Sequence, residues 1–291
     1  MSLLTLGIPK GSLQDATIEL FRRSGWKISA ADRSYFPSVD DPELRCLLVR
    51  AQEMARYVES GALDAGITGR DWVLEYDAQV ELVQELVYSK TSLRPTRWVL
   101  VVPGESPVQR PEDLRGKRIA TELVGYTTRW FAERHIDVHV EFSWGATEAK
   151  VAEGLVDAIV EVTETGSTLR AHGLRIVCEL FQSAPHVIAN PAARTDPWKR
   201  QKIDAIAQML SAALRADGQV GVKMNVAPDR LEAVIALLPA ITAPTVAHLH
   251  GTDWLSVETV IAEAKVRDLV PRLLQAGAVG IIEYPLNKIV G

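Results

Sequence analysis

The sequence predicts an α/β protein with two α/β lobes followed by a separate βαββαβ domain. Three observations predict it. Apolar runs of strand length alternate with stripes of helical period as far as residue 190. After a clean helical stripe near residue 210 the order changes to strand, helix, strand, strand, helix, strand, the split ferredoxin-like unit. The length of 291 residues also exceeds what a single core commonly holds and suits two or three.

In lobe I, residues 1–93, "LLTLGI" reads as a strand, and Ser12 with Asp15 as a helix-capping pair. Leu13, Thr17, Leu20 and Phe21 then form a helical stripe that ends at Gly25. "LRCLLVR" is a second strand, and Met54, Tyr57 and Val58 mark the inner face of a short helix stopped at Gly61. "LDAGITG" is a third strand, expected to enter a turn at Gly69-Arg70-Asp71. This alternation implies a mostly parallel, doubly wound sheet.

Lobe II, residues 94–180, is expected to start with the buried strand "RWVLVVP". A Pro-bounded loop and short helix lead to the strand in "KRIA", with "DVHVEF" as another strand. "ATEAKVAEGLVDAIVEV" supplies a helix, a tight link at Gly154 and a further strand. "RIVCELF" and "HVIANP" could carry the chain back to lobe I over about 181–214, ending in a helix with Ile203, Ile206, Ala207, Leu210 and Leu214 on one face. Two lobes with a shared crossing leave a cleft between them. In the third domain, 216–291, Pro271 is expected in the first turn of its second helix, where amide donors have no intrahelical partner.

Net charge of −5, with 47% hydrophobic and 24% charged residues, is ordinary for a soluble globular protein. It advertises neither nucleic acid nor a membrane surface as partner. The N-terminus lacks the pattern of an export signal, and no apolar run approaches the roughly 20 residues of a membrane helix. A cytoplasmic protein is expected, with Cys46 and Cys178 as reduced thiols. The histidines show no metal spacing, no Ser-His-Asp order occurs, and neither cysteine has a plausible base. The tryptophans are scattered rather than striped and read as core. Electrostatic positioning is therefore the expected chemistry, rather than covalent catalysis.

The most informative stretch is "DAIVEVTETGSTLRAHG", Asp157–Gly173. Ala158-Ile159-Val160 reads as a buried strand and "TLRAHG" as a helix ending at Gly173. Between them, Thr165, Gly166, Ser167 and Thr168 can present successive amides and hydroxyls to one phosphate, with Gly166 free to adopt positive φ. Glu161, at the strand's end, suits sugar hydroxyls, as an acidic residue does in dinucleotide folds. From spacing alone an ordinary strand–turn–helix with a Thr cap fits equally well. Lys10 and Gly11 end the first strand, Arg50 the second, and Arg70 and Asp71 follow the third. One sheet edge therefore gathers groups that suit a diphosphate, although each alone also fits a solvated surface residue.

"IPKGSL", "ESGALDAGITGRD", "DLRGKRIATE" and "DAIVEVTETGSTLRAHGL" together resemble the ATP phosphoribosyltransferase family along nearly the whole chain, in order and spacing. The C-terminal segment resembles the regulatory, ACT-like ferredoxin domain of the long form. The resemblance implies a two-lobed core like that of periplasmic binding proteins. It also implies condensation of ATP with 5-phosphoribosyl 1-diphosphate in histidine biosynthesis, releasing pyrophosphate, with Mg²⁺ carried by the substrate and no fixed protein metal site. Carried over by position, Glu161, Val162, Thr163, Glu164, Thr165, Gly166, Ser167 and Thr168 hold the ribose 5-phosphate. Lys10, Gly11, Arg50, Gly69 and Asp71 line the ATP and diphosphate side, and Glu161, Lys10 and Arg50 are the candidate catalytic residues. Histidine, as feedback inhibitor, is expected near Asn225, Val226, Ala243 and Thr245, in a homo-oligomer from dimer to hexamer. Two positions depart from the family: many relatives have Asp for Glu161, and Tyr-Pro where this chain continues Thr121-Glu122-Leu123-Val124-Gly125-Tyr126. A non-enzymatic ligand-binding module and a catalytically silent regulatory relative are the competing readings.

Overall fold

A computed structural model describes residues 2–30, 34–88, 95–239 and 243–291. The chain divides into two compact units, Met1–Ser211 and Ala212–Gly291. The first unit opens with β1 (Leu4–Lys10), α1 (Gln14–Ser24), β2 (Ile28–Ser29), β3 (Ser38–Val39), β4 (Leu44–Arg50) and α2 (Ala51–Glu59). It continues through β5 (Ala65–Gly69), α3 (Arg70–Tyr76), β6 (Glu81–Glu85), β7 (Thr96–Pro103), β8 (Arg118–Thr121), α4 (Val124–Ala132) and β9 (His139–Phe142). It closes with α5 (Thr147–Ala152), β10 (Ala158–Thr163), α6 (Ser167–Ala171), β11 (Leu174–Ser183), β12 (Pro185–Ala189), α7 (Pro191–Thr195) and α8 (Pro197–Arg215).

Two five-stranded sheets result, ordered β4-β1-β5-β12-β6 and β11-β7-β10-β8-β9. Both are mixed rather than mostly parallel. β4, β1 and β5 run parallel, but β12 returns from the other lobe and pairs antiparallel with β5 and β6. Likewise β7 enters lobe II antiparallel to β10 and β11, while β10, β8 and β9 stay parallel. The chain crosses between lobes after β6 and after β11, and each crossing reverses strand direction. The expected boundary at 93/94 falls on residues outside those described.

Packing follows the stripes read from the sequence. Leu4, Leu6, Ile8, Leu20 and Phe21 are buried in lobe I, and Trp98, Leu100, Leu114, Ile119 and Phe131 in lobe II. Ile203, Ile206, Ala207 and Leu210 bury one face of α8, with Leu214 half-buried. Three local expectations fail. Ser12 does not cap α1: the N-cap is Leu13 with no side-chain bond, and the Gln14 amide donates to the Gly11 carbonyl (3.0 Å). Tyr57 is exposed, because Met54, Ala55 and Val58 share the buried face of α2 and Tyr57 points to the cleft instead. Gly69-Arg70-Asp71 is not a turn, since α3 starts at Arg70 directly from β5.

The second unit holds β13 (Gln219–Val226), α9 (Leu231–Ile235), β14 (Thr245–His248), β15 (Leu255–Ala262), α10 (Glu263–Gln275) and β16 (Val279–Pro285). Its antiparallel sheet, β14-β15-β13-β16, has the ferredoxin-like order. Val222, Met224, Val234, Val257 and Leu273 form its core. Pro271 lies inside α10, not in its first turn. It sits on the exposed face, as does Arg267 four residues earlier, so water can satisfy the carbonyl left without an amide partner.

Candidate functional site

The C-terminal ends of β1, β4 and β5 stand side by side, and parallel register places Lys10 opposite Arg50. Among the described residues neither head group has a carboxylate partner. The Lys10 ammonium lies 3.9 Å from the Tyr35 ring centroid, and the Arg50 guanidinium 5.9 Å from that of Trp144. Both border a cavity of about 1000 Å³ that Gly11, Asp71, Glu122 and Val162 also line, at the upper end for small-molecule sites. Two adjacent cations without a described carboxylate partner give this wall a local positive charge of the kind that attracts anions.

Asp71 is buried where the lobes meet. Its Oδ1 accepts from the Trp72 amide (3.0 Å) and its Oδ2 from the Trp98 indole N–H (3.0 Å), while its own amide donates to Ser183 Oγ (3.1 Å). Burial pushes its carboxyl up from the ordinary range, against those hydrogen bonds. Gly69 serves this arrangement sterically, since a Cβ there would meet Asp71 Oδ1 at 2.1 Å. Asp71 thus braces the start of α3 in one lobe against β7 and β11 of the other. Glu122, half-buried on the facing wall, is pushed up first by burial and then by the Asp71 charge.

The turn after β10 has the positive φ at Gly166 that the sequence allowed. Gly166 adopts φ 72°, and its amide donates to Thr163 Oγ1 (2.8 Å), while the Ser167 amide donates to Thr165 Oγ1 (3.3 Å). These two amides are therefore held by threonine hydroxyls. α6 begins at Ser167 and has only five residues, so its helix-end field is small and the turn's own donors dominate. Of the run Glu161–Thr168, Val162 lines the cavity. Glu161 lies within β10 rather than at its end, and its Oε1 accepts from the Val162 amide (3.0 Å). Burial, with Glu148 and Glu122 nearby, pushes its carboxyl up to about 7.

Sequence reasoning missed two features. The Thr121–Tyr126 segment has a structural role, in which Glu75 of α3 accepts from the Gly125 and Tyr126 amides (both 2.9 Å), and Arg129 of α4 donates to the Leu74 and Glu75 carbonyls. This clasp ties lobe I to the N-terminus of α4, and a Cβ at Gly125 would lie 2.6 Å from the Glu75 carbonyl oxygen. No sequence pattern links Glu75 to Gly125, fifty residues on. Trp144, read as core, is instead 64% exposed at the cleft, and Trp254 is also exposed. The signal was legible: "SWGA" is a turn sequence outside any apolar stripe.

Of the residues expected to bind histidine, Asn225, Val226 and Thr245 share one sheet without forming one cluster, and Ala243 lies in the bend before it. Asn225 pairs with Ser256 of β15, Val226 is buried, and Thr245 lies on edge strand β14 beyond β15, just after Ala243.

Comparison with known proteins then fixes the family. Residues 50–212 match the family described as "HisG: ATP phosphoribosyltransferase", and 216–288 match "HisG, C-terminal domain". ATP phosphoribosyltransferase 1 of Geobacter sulfurreducens is 62% identical over 288 residues, covering 99% of both chains. ATP phosphoribosyltransferase of Geotalea daltonii is 61% identical over 288 residues, again covering 99% of both. Among solved structures, a chain of the ATP phosphoribosyl transferase (HisG:HisZ) complex from Thermotoga maritima superposes with TM-score 0.62 at 26% identity, covering 72% of this chain and 99% of that one. The chain belongs to the ATP phosphoribosyltransferase family.

Proposed function

We propose that the chain condenses ATP with 5-phosphoribosyl 1-diphosphate to N1-(5-phosphoribosyl)-ATP and pyrophosphate. The observation that carries this reading is the adjacent pair Lys10 and Arg50, without carboxylate partners among the described residues, on a large cleft whose lining also holds Val162 of the strand before the Gly166 turn. In the reaction adenine N1 forms a bond to the anomeric carbon as the bond from that carbon to the diphosphate oxygen breaks, and the electron pair leaves with the diphosphate. Lys10 and Arg50 neutralise that leaving group, and the Thr163–Thr168 turn grips the 5-phosphate. Glu161 accepts from the ribose hydroxyls, whose donation favours its charged form. Asp71 acts through Trp98 and Ser183 as a positioning residue that keeps the two walls in register. No protein nucleophile is needed, since orientation and charge neutralisation lower the barrier.

Mg²⁺ fits this site. It takes oxygen donors and is commonly held by one or two carboxylates plus substrate phosphates, and Glu122 offers a carboxylate on the cleft wall. When bound, the ion neutralises charge on the leaving diphosphate.

The ferredoxin-like unit is assigned to feedback inhibition by histidine, bound near Asn225, Val226, Ala243 and Thr245 where copies of the chain meet in a homo-oligomer of dimers up to a hexamer. Inhibition requires histidine to bind one arrangement of the lobes better than another. The reaction is proposed to take place in the cytoplasm; separately, no helix among the described residues is long and apolar enough to cross a membrane. Pyrophosphate release measured with both substrates across a histidine titration tests the reading. Turnover that falls as histidine reaches millimolar levels is expected. Absence of turnover would favour a silent regulatory relative, and turnover indifferent to histidine would remove the regulatory assignment.

A further inference from the structure

Trp144 is displayed rather than packed. The base of its loop is anchored: buried Ser143 donates its amide to the Thr121 carbonyl (3.0 Å), and its hydroxyl bonds Thr147 Oγ1 (3.0 Å) and Lys150 Nζ (2.8 Å). Gly145 and Ala146 then take consecutive left-handed conformations, φ 68° and 50°. For Ala146 this backbone is strained, a feature that persists where surrounding structure enforces it. The loop therefore holds a large apolar ring in solvent at the cleft, beside Phe142, itself 57% exposed, with centroids 6.0 Å apart. The main cavity and a smaller one of about 280 Å³ both include Trp144, Arg50 and Glu122 in their walls.

The chemistry of the reaction says what such a ring would hold. Adenine N1 is the nucleophile, so the edge that carries it must stay open toward the sugar. Recognition of the base has to use its face, and a tryptophan face with a guanidinium on one side suits a purine. A sugar phosphate offers no comparable surface. We infer that Trp144, flanked by Phe142 and Arg50, is the stacking platform that positions the adenine of ATP. This rests on the cleft being the substrate site proposed above.

The experiment measures ATP and 5-phosphoribosyl 1-diphosphate affinities by calorimetry, with steady-state constants, for Trp144→Ala, Trp144→Phe and, separately, Lys10→Met. Inorganic tripolyphosphate serves as a base-free probe, and circular dichroism checks folding. Stacking on an aromatic ring carries enough energy for a loss of tenfold or more in ATP affinity on truncation to alanine. That loss is expected with tripolyphosphate and phosphoribosyl diphosphate affinities within about twofold of wild type, and phenylalanine restoring most of it. Unchanged ATP affinity in folded Trp144→Ala, equal weakening of all three ligands, or no rescue by phenylalanine would overturn the platform. If Lys10→Met weakens polyanion binding while Trp144→Ala does nothing, the platform alone falls. If neither substitution changes any affinity, the cleft assignment falls with it.

Discussion

On the lobe I wall of the cleft, Lys10 and Arg50 end neighbouring strands with no carboxylate partner among the described residues; in lobe II, Glu122 on the cleft wall and Glu161 of β10 are carboxylates that burial drives toward the protonated form. One wall holds charge ready for a polyanion, while the other holds acids whose charge strengthens when donors approach. The difference fits the division of labour proposed above, in which lobe I grips the diphosphate and lobe II the sugar with its 5-phosphate. The geometry depends on the lobes staying in register, which Asp71 and the Glu75–Arg129 clasp secure.

Breaking the lobe II side at its tightest point has the largest expected effect of any single substitution. Gly166→Val forces a β-branched residue to φ 72° and brings a Cβ within 3.3 Å of Ile176 Cδ1 and 3.2 Å of Arg170 Nη1. The strain costs about 1–3 kcal/mol. Affinity for both phosphoribosyl diphosphate and ribose 5-phosphate is expected to fall about a hundredfold in calorimetry, with the fold retained. Unchanged affinity in a folded variant would remove the cradle from the site.

Breaking the register between the walls comes next. Gly125→Ala sets a methyl against the Glu75 carbonyl oxygen, and overpacking of this kind costs about 1–3 kcal/mol. Urea unfolding should shift by that amount, and turnover should fall with both substrate affinities. A variant as stable and active as the parent would show that the clasp does not hold the lobes.

Glu161→Gln sharpens the comparison with the smallest effect on ligand affinity. Glu161 titrates near 7 in the fold against an ordinary 4.5, so the native chain binds more protons than the unfolded one between those values. Its contribution to stability is full below about 4.5 and is lost as pH rises through 7. The glutamine variant should therefore match the parent near pH 4.5 and exceed its stability at pH 8 by about 3 kcal/mol. Turnover should nonetheless fall by more than ATP affinity does. Parental turnover, or no pH-dependent stability gap in urea titrations, would contradict the role.

Much of this was legible in the sequence because it depends on local patterns. "LRCLLVR" marks the whole of β4, Gly25 and Gly173 stop their helices, and the final strand–helix order gives the ferredoxin-like unit. The gathering of Lys10, Arg50 and Asp71 at one edge followed from parallel strand ends. What was hidden depends on pairing across distance. Strand direction reverses at the lobe crossings, which no periodicity reports. The Glu75–Gly125 bond joins residues without a shared motif, and Asp71 turns out to brace Trp98 because β7 happens to pass beside α3. Trp144 was misread by residue type, although its turn sequence pointed outward.

The division of labour is tested most directly by calorimetry on the double variant Lys10→Met/Arg50→Met, comparing phosphoribosyl diphosphate with ribose 5-phosphate. Two charge-assisted contacts contribute about 1.5–3 kcal/mol each, so the diphosphate ligand should lose at least a hundredfold in affinity. Ribose 5-phosphate, held by the Gly166 turn and Glu161, should bind within threefold of wild type. Equal losses for both ligands, or none for either, would contradict the account.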